Sequence, residues 1–144
     1  MKLPFNVDLK DKVVAITGGG GVLMSAFGEA LAACGAKVAL LDINGEAVEK
    51  IAASIGENAL AVKTDCLDKN DIIRAKEKIN AKWGKVNFLI NGAGGNNPKA
   101  TCDNETMTPD LTGVKDFFAL DESGLKFVFD LNITSAFLVT QVFA

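Results

Sequence analysis

The chain has 144 residues, of which 49% are hydrophobic, so it is large enough for a single domain with a sizeable core. Its net charge is −3 without a long basic run, and it has neither a signal-peptide pattern nor an apolar stretch long and uninterrupted enough to span a bilayer, which argues against nucleic-acid and membrane partners. The three cysteines have no ligand-type spacing and His is absent, so we expect no bound metal and a reduced, cytoplasmic location.

The first predicted elements are a buried strand, a glycine-rich turn, a helix and a second buried strand. Residues 13–16 are β-branched and apolar, and residues 38–41 are similarly apolar. Between them, four consecutive glycines precede a helical pattern of apolar residues at spacings of three and four, which Gly35 ends. Asp42 stands directly after the second strand. Strand, glycine turn, helix, strand and acid occur in the order of a dinucleotide-binding unit.

Each part of this unit has chemistry that suits a dinucleotide. Glycines let the backbone approach a diphosphate, and the helix start offers unpaired N–H groups and the positive end of its dipole. Asp42 can accept hydrogen bonds from both ribose hydroxyls and would repel the additional phosphate of NADP, so it favours NAD. A merely flexible turn is the weaker alternative because the strands and the acid are in register, although the strict GxGxxG pattern is absent. The candidate cofactor-binding residues here are Gly18, Gly20, Gly21, Val22, Leu23, Asp42 and Ile43.

Two further helices and strands alternate along the chain, with Asn44 and Asp68 as predicted helix N-caps. The patterns cover residues 44–55, 59–64, 68–83 and 86–90. Asp65, after the third strand, either bonds an adenine amino group or only caps a turn, and the sequence leaves both open. Because ligands bind beyond the carboxyl ends of strands in an open α/β sheet, we expect the turns to converge on one ligand. The additional candidates are Asp65, Cys66, Asn91, Gly92, Ala93 and Gly94.

A long polar connection and a final helix complete the chain. Residues 96–120 contain two prolines and no clear period, so we expect partial disorder, with Phe117 and Phe118 anchoring the far end. Asp121 is the predicted N-cap of a helix that runs to the C-terminus. Asn132 is polar within the apolar stripe of that helix. It is either a structural, hydrogen-bonded Asn or one that holds a water or a backbone group near an active site.

These motifs resemble the short-chain dehydrogenase/reductase family. Thr17–Gly18 with the following glycines is similar to the family's TGxxxGxG motif, residues 91–94 resemble NNAG, and Asn132 matches the Asn of the Asn-Ser-Tyr-Lys catalytic tetrad. The resemblance covers essentially the whole chain. It implies a Rossmann-type, doubly wound α/β fold with parallel strands in the order 3-2-1-4 and NAD as the cofactor. It also implies hydride exchange with a small carbonyl or alcohol substrate, and a dimer or tetramer.

The departures from the family motifs are also informative. Val22 and Met24 occupy the second and third glycines of TGxxxGxG, and Gly92 replaces the second Asn of NNAG. The segments TGGGGVL, NGAGGNNPKAT and FVFDLN are similar to the D-mannonate oxidoreductase, or fructuronate reductase, branch. That resemblance implies a sugar-acid substrate.

The family's remaining catalytic groups are not found in these 144 residues. The chain has no Tyr, so it has no YxxxK motif, and Ser135 shares a helix with Asn132 rather than matching the tetrad Ser. We therefore expect residues 1–144 to be the NAD-binding portion of a truncated enzyme, which binds NAD weakly and turns nothing over. We also expect the fourth predicted strand, residues 86–90, left at the sheet edge, and the last helix to mediate self-association. The alternatives are a non-catalytic nucleotide-binding module or, less favoured, an S-adenosylmethionine-dependent methyltransferase.

Overall fold

The computed structural model describes residues 7–106 and 109–144, and its centre is a four-stranded parallel sheet. The strands are β1 Val13–Thr17, β2 Lys37–Asp42, β3 Ala59–Lys63 and β4 Phe88–Ile90. They are ordered β3-β2-β1-β4, and all neighbouring pairs run parallel. The doubly wound α/β fold and the strand order expected from the sequence are confirmed. Reversal of the strand order between β1 and β4 opens a crevice at their carboxyl ends.

The sheet is covered on both faces, which explains why its central strands are continuously apolar. All five residues of β1 are buried. Val13 and Ala15 belong to a cluster with the helix Lys69–Trp83, whereas Val14 and Ile16 belong to a cluster with the helices Val22–Ala33 and Gly45–Ile55. Alternate residues of one strand therefore support helices on opposite faces.

The three helices of the first part are α1 Val22–Ala33, α2 Gly45–Ile55 and α3 Lys69–Trp83. The two predicted N-caps are present, since Asn44 accepts a hydrogen bond from the Ala47 N–H at 3.1 Å and Asp68 accepts one from the Asn70 N–H at 2.9 Å. By contrast, α1 begins after Gly21, which provides no side-chain cap. The first amide groups of α1 are thus not satisfied by a capping side chain.

The packed face of α1 differs from the simple apolar pattern. Leu23 and Phe27 are 66% and 46% exposed, whereas Met24 packs on the core and Gly28 is buried. A Cβ at Gly28 would lie 2.9 Å from Leu40 Cδ2, so glycine allows the helix to approach β2 closely. Close approach at Gly28 decides which face of α1 is inward.

Hydrogen bonds within the connection after β4 stabilise it, whereas the two phenylalanines at its far end do not anchor it. It contains two short 3-10 helices, Pro98–Ala100 and Phe117–Ala119. Asp103 and Lys115 exchange two hydrogen bonds across it. Phe117 and Phe118 are 70% and 78% exposed, so the expectation that they anchor its far end is wrong. The expectation of partial disorder covers residues 107–108, which lie outside the described residues.

A long helical stretch closes the chain and contains an irregular turn. It consists of α4 Glu122–Phe129, a π-helical segment Asp130–Thr134 and α5 Ser135–Phe143. The predicted cap is present, because Asp121 accepts a hydrogen bond from the Ser123 N–H at 2.7 Å. The π segment contains Asn132. π-bulges of this kind insert one residue into a helix and are frequent at functional sites.

The same stretch can be compared with a membrane-spanning helix in its length and composition. Among the described residues, Glu122–Phe143 is long and apolar enough to cross a bilayer by length and composition, with a mean hydropathy of 1.2. From the sequence we expect no apolar stretch that is both long enough and uninterrupted; this stretch is long enough, but Lys126 and Asp130 interrupt it. The criterion is weak evidence for a membrane segment, since helices of soluble proteins also meet it.

Candidate functional site

The carboxyl ends of all four strands meet at one cleft of about 410 Å³. The predicted residues that line it are Gly18, Gly21, Val22, Leu23, Asp42, Ile43, Asp65, Cys66, Gly92, Ala93 and Gly94. The other three lie next to the lining: Gly20 bonds Asp42, Asn91 precedes Gly92, and Asn132 follows the lining residue Leu131. Segments far apart in sequence thus form one concave site.

The glycine turn is tight and is enclosed by neighbouring backbone. Gly18 has φ +68°, a conformation that favours glycine, and a Cβ there would lie 2.6 Å from the Gly92 oxygen. The Gly19 N–H donates to the Leu41 oxygen and the Gly21 N–H to the Gly18 oxygen, both at 3.0 Å. The turn places the uncapped start of α1 at the wall of the cleft. Such a helix start favours an anionic ligand.

Asp42 is fixed at the end of β2 by two backbone donors. Its Oδ2 accepts from the Gly20 N–H at 3.0 Å, and its Oδ1 accepts from the Asn44 N–H at 2.9 Å. A Cβ at Gly20 would lie 3.0 Å from both Asp42 Oδ2 and Ala47 Cβ, so this glycine also keeps the carboxylate in place. Each carboxylate oxygen has a second lone pair for an external donor.

The turn after β3 combines a local role with a place in the cleft. Asp65 accepts from the Leu67 N–H at 2.8 Å, and its own N–H donates to Asp71 at 2.7 Å. Its turn-forming role is therefore present in the structure, and Asp65 also lines the cleft. Cys66 is 7% exposed. Burial, and then the negative charges of Asp65, Asp42 and Asp71, raise the pKa of the Cys66 thiol to about 11, so it is neutral at physiological pH.

The turn after β4 is held against β1 and α1. The buried Thr17 hydroxyl accepts from the Gly92 N–H at 3.0 Å and from the Ala93 N–H at 3.1 Å. A Cβ at Gly92 would overlap Met24 Sδ and Cγ and would lie 2.7 Å from the backbone oxygen of Thr17. Position 92 thus has no room for a side chain.

Asn132 ties the π segment to the end of the same turn. Its Oδ1 accepts from the Gly95 N–H at 3.1 Å, and its Nδ2 donates to the Gly95 oxygen at 2.7 Å and to the Val128 oxygen at 2.8 Å. A Cβ at Gly94 would lie 2.6 Å from Asn132 Oδ1. Asn132 therefore holds a backbone segment that borders the cleft. Ser135, one turn further on, is buried and bonds the Leu131 oxygen.

Sequence reasoning did not select every residue that lines the cleft. The additional lining residues are Met24, Thr64, Leu67 and Leu131. Each of the four lies within two positions of a selected residue, with Leu131 directly before Asn132, and that proximity is the signal that could have found them. The fold brings Leu131, on the last helical stretch, to the same cleft as the strand ends.

The family model for the short chain dehydrogenases matches residues 12–144, almost the entire chain. The chain therefore belongs to the short-chain dehydrogenase family.

Individual relatives narrow the comparison. An uncharacterized oxidoreductase of Haemophilus influenzae is 47% identical over all of this chain and 52% of its own length, and the uncharacterized oxidoreductase UxuB of Bacillus subtilis is 46% identical over 98% of this chain and 51% of its own. A crystal structure of a Haemophilus influenzae protein, provisionally named as a D-mannonate oxidoreductase and containing bound NAD, superposes with a TM-score of 0.90. It is 47% identical over 95% of this chain and 50% of that one. The chain spans about half the length of these relatives.

Proposed function

We propose that the cleft binds NAD and that this chain supplies the dinucleotide-binding part of an oxidoreductase that transfers hydride between nicotinamide and a carbonyl or alcohol. The observation that carries the proposal is the convergence of the uncapped start of α1, the fixed Asp42 carboxylate and the turn after β4 on one cleft. The NAD bound to the 47% identical relative supports the choice of ligand.

Each half of the dinucleotide has a place in this proposal. The diphosphate lies at the glycine turn and the start of α1, residues 18–23, where amide groups and the helix dipole stabilise negative charge. The adenosine ribose lies at Asp42, and the adenine lies between Ile43 and the Asp65–Cys66 turn. The nicotinamide half extends towards β4 and residues 91–94. The Asp42 carboxylate would repel a 2′-phosphate, so we propose NAD rather than NADP.

The catalytic role proposed for Asn132 is one of positioning. Its side chain satisfies both polar groups of Gly95, so it fixes the backbone beside the nicotinamide half of the cleft. Hydride transfer also requires a proton donor or acceptor for the substrate oxygen. Since the chain contains no Tyr or His, we propose that these 144 residues alone bind NAD without turning over substrate.

We propose a sugar acid such as D-mannonate, or fructuronate in the reverse direction, as the substrate of the whole protein. The provisional name of the 47% identical relative supports this choice. In an intact protein that contains this chain, NADH formation with D-mannonate but not with the neutral polyol sorbitol would support it. Equal rates with both, or activity with sorbitol alone, would exclude it.

A cytoplasmic location and a homo-oligomer, a dimer or a tetramer, complete the proposal. All three cysteines are free thiols, which suits a reducing compartment. The last helical stretch exposes Phe129, Ile133 and Phe137 by 54%, 58% and 61%, which suits contact with another subunit.

Titration of the purified chain with NADH, NADPH and S-adenosylmethionine tests the proposed ligand. NADH should bind more tightly than either competitor, whereas a preference for S-adenosylmethionine would indicate a methyltransferase. Asp42→Asn removes the charge and should weaken NADH binding about ten- to a hundredfold, because a charge-assisted hydrogen bond is worth about 1.5–3 kcal/mol. The same substitution should also reduce the preference of the chain for NADH over NADPH.

Asp8→Asn is the matched control for this titration. Asp8 makes the same bond to the N–H two residues on, here Lys10, but it precedes β1, at the amino-terminal end of that strand and away from the cleft at the carboxyl ends. Its substitution should leave NADH affinity unchanged. Equal effects of Asp8→Asn and Asp42→Asn would contradict the assignment of the ribose to Asp42.

A further inference from the structure

Two departures from the family motifs lie in contact. The chain has Met24 where TGxxxGxG has its third glycine, and Gly92 where NNAG has its second Asn. A Cβ at Gly92 would overlap the Sδ and Cγ atoms of Met24. The Met24 side chain, which the family motif lacks, thus occupies the space that the second Asn side chain of NNAG would need at position 92.

Both residues border the cleft at a particular place. Met24 is in the first turn of α1, packs on the cluster of Val14, Ile16 and Ile90, and lines the cleft together with Gly92. Asp42 and Asp65 line the cleft on the β2 and β3 side, whereas Met24 and Gly92 lie on the β4 side. With the adenosine half at Asp42, the contact of Met24 with Gly92 lies beneath the nicotinamide half.

We propose that Met24 and Gly92 form one compensating pair and that the Met24 side chain is a positioning residue that supports the nicotinamide half of the dinucleotide. This inference rests on the proposed function for the identity of the ligand. The pairing itself is a property of the protein without ligand. An unbranched thioether suits this place because it adapts to irregular gaps and is readily polarised against a planar ring.

Thermal unfolding of a double-mutant cycle without cofactor tests the pairing. Gly92→Ala should lower the Tm, because the new Cβ overlaps Met24 and stands 2.7 Å from the Thr17 oxygen. Gly92 does not have a positive φ, so alanine adds no left-handed strain. Met24→Ala removes both overlapping atoms. Although Met24→Ala alone should also lower the Tm, adding it to Gly92→Ala should raise the Tm.

Leu31→Ala is the matched control. Leu31 is on the same helix and packs on the same core cluster as Met24. In the Gly92→Ala background it should lower the Tm further, since it removes packing without making room at position 92. If Gly92→Ala fails to fold, recovery of folded protein by Met24→Ala but not by Leu31→Ala supports the pairing. A Met24→Ala/Gly92→Ala variant no more stable than Gly92→Ala refutes it.

Ligand titrations test the second half of the proposal. Met24→Ala should weaken NADH about three- to tenfold and leave AMP, which occupies only the adenosine half, within about twofold. Equal weakening of both ligands, or of neither, would overturn the positioning role. Failure of the unsubstituted chain to bind NADH would refute the proposed function and this role together, while the unfolding cycle would still decide the pairing.

Discussion

Asn132→Asp is the most direct test of how the last helical stretch supports the cleft. The two side chains have nearly the same shape, but the carboxylate has no N–H to donate. The Asn132 Nδ2 donates to the oxygens of Gly95 and Val128 at 2.7 and 2.8 Å. After the substitution, a negative oxygen would face at least one of these carbonyl oxygens. The carboxylate would then turn towards water, and the link to Gly95 would be lost.

The expected loss follows from three hydrogen bonds, those to Val128 and to the N–H and oxygen of Gly95. Each net bond is worth about 0.5–1.5 kcal/mol. Asn132 is exposed, so water replaces part of the loss. We expect the free energy of unfolding to fall by about 2–3 kcal/mol and the Tm by about 5–10 °C.

Urea and thermal unfolding at several pH values, together with NADH titration, form the assay. Because the ionised carboxyl group is the form that the carbonyl oxygens repel, the stability deficit should shrink as pH falls below about 4. NADH binding should weaken, since the turn beside the proposed nicotinamide half is no longer fixed.

Asn58→Asp controls for the added charge in this assay. Asn58 is exposed, and its hydrogen bond to Val38 uses its backbone oxygen. This substitution should change stability by less than about 0.5 kcal/mol. If Asn132→Asp costs no more than Asn58→Asp, or if its cost is the same at every pH, the positioning role of Asn132 is refuted.

Three further predictions use other parts of the structure. Gly18→Ala should destabilise the chain more than Gly84→Ala. Both glycines have positive φ, but only at position 18 would the added Cβ also lie 2.6 Å from a backbone oxygen, that of Gly92. Equal losses of stability in urea unfolding would contradict this. Cys66 should react with a thiol reagent at pH 8 more slowly than the other two cysteines, because its pKa is raised to about 11. Its contribution to the free energy of unfolding should be complete below about pH 9 and lost towards pH 11, and Cys66→Ala should remove this pH dependence. A chain that sediments as a monodisperse monomer at micromolar concentration would contradict self-association through β4 and the last helical stretch, and Phe137→Glu should weaken that association.

Much of the fold follows from local signals that the tertiary structure does not override. The β-branched runs became buried parallel strands, and the caps at Asn44, Asp68 and Asp121 formed where a short polar side chain precedes a helical pattern. The convergence of the turns also followed from topology, because all strands of a parallel sheet have their carboxyl ends on the same side of the sheet.

The features that sequence did not indicate depend on contacts between distant segments. The inward face of α1 is decided by the approach of Gly28 to Leu40, and apolar spacing alone cannot detect the absence of a side chain as a packing feature. The π segment at Asn132 has no distinctive spacing of its own. Phe117 and Phe118 are apolar yet exposed, and only the surrounding structure determines whether an apolar pair is covered.

The hydrogen bonds of the turn after β4 limit what that turn can offer a ligand. The N–H groups of Gly92 and Ala93 are occupied by Thr17, and both polar groups of Gly95 are occupied by Asn132. The turn therefore has a fixed shape more than free donors, and our proposal assigns polar recognition mainly to the start of α1 and to Asp42. Since those donors and acceptors are already positioned by backbone bonds, binding needs little reorganisation of the cleft. Substitutions that loosen the turn should accordingly weaken NADH binding without changing the preference for NADH over NADPH, a preference that we assign to Asp42.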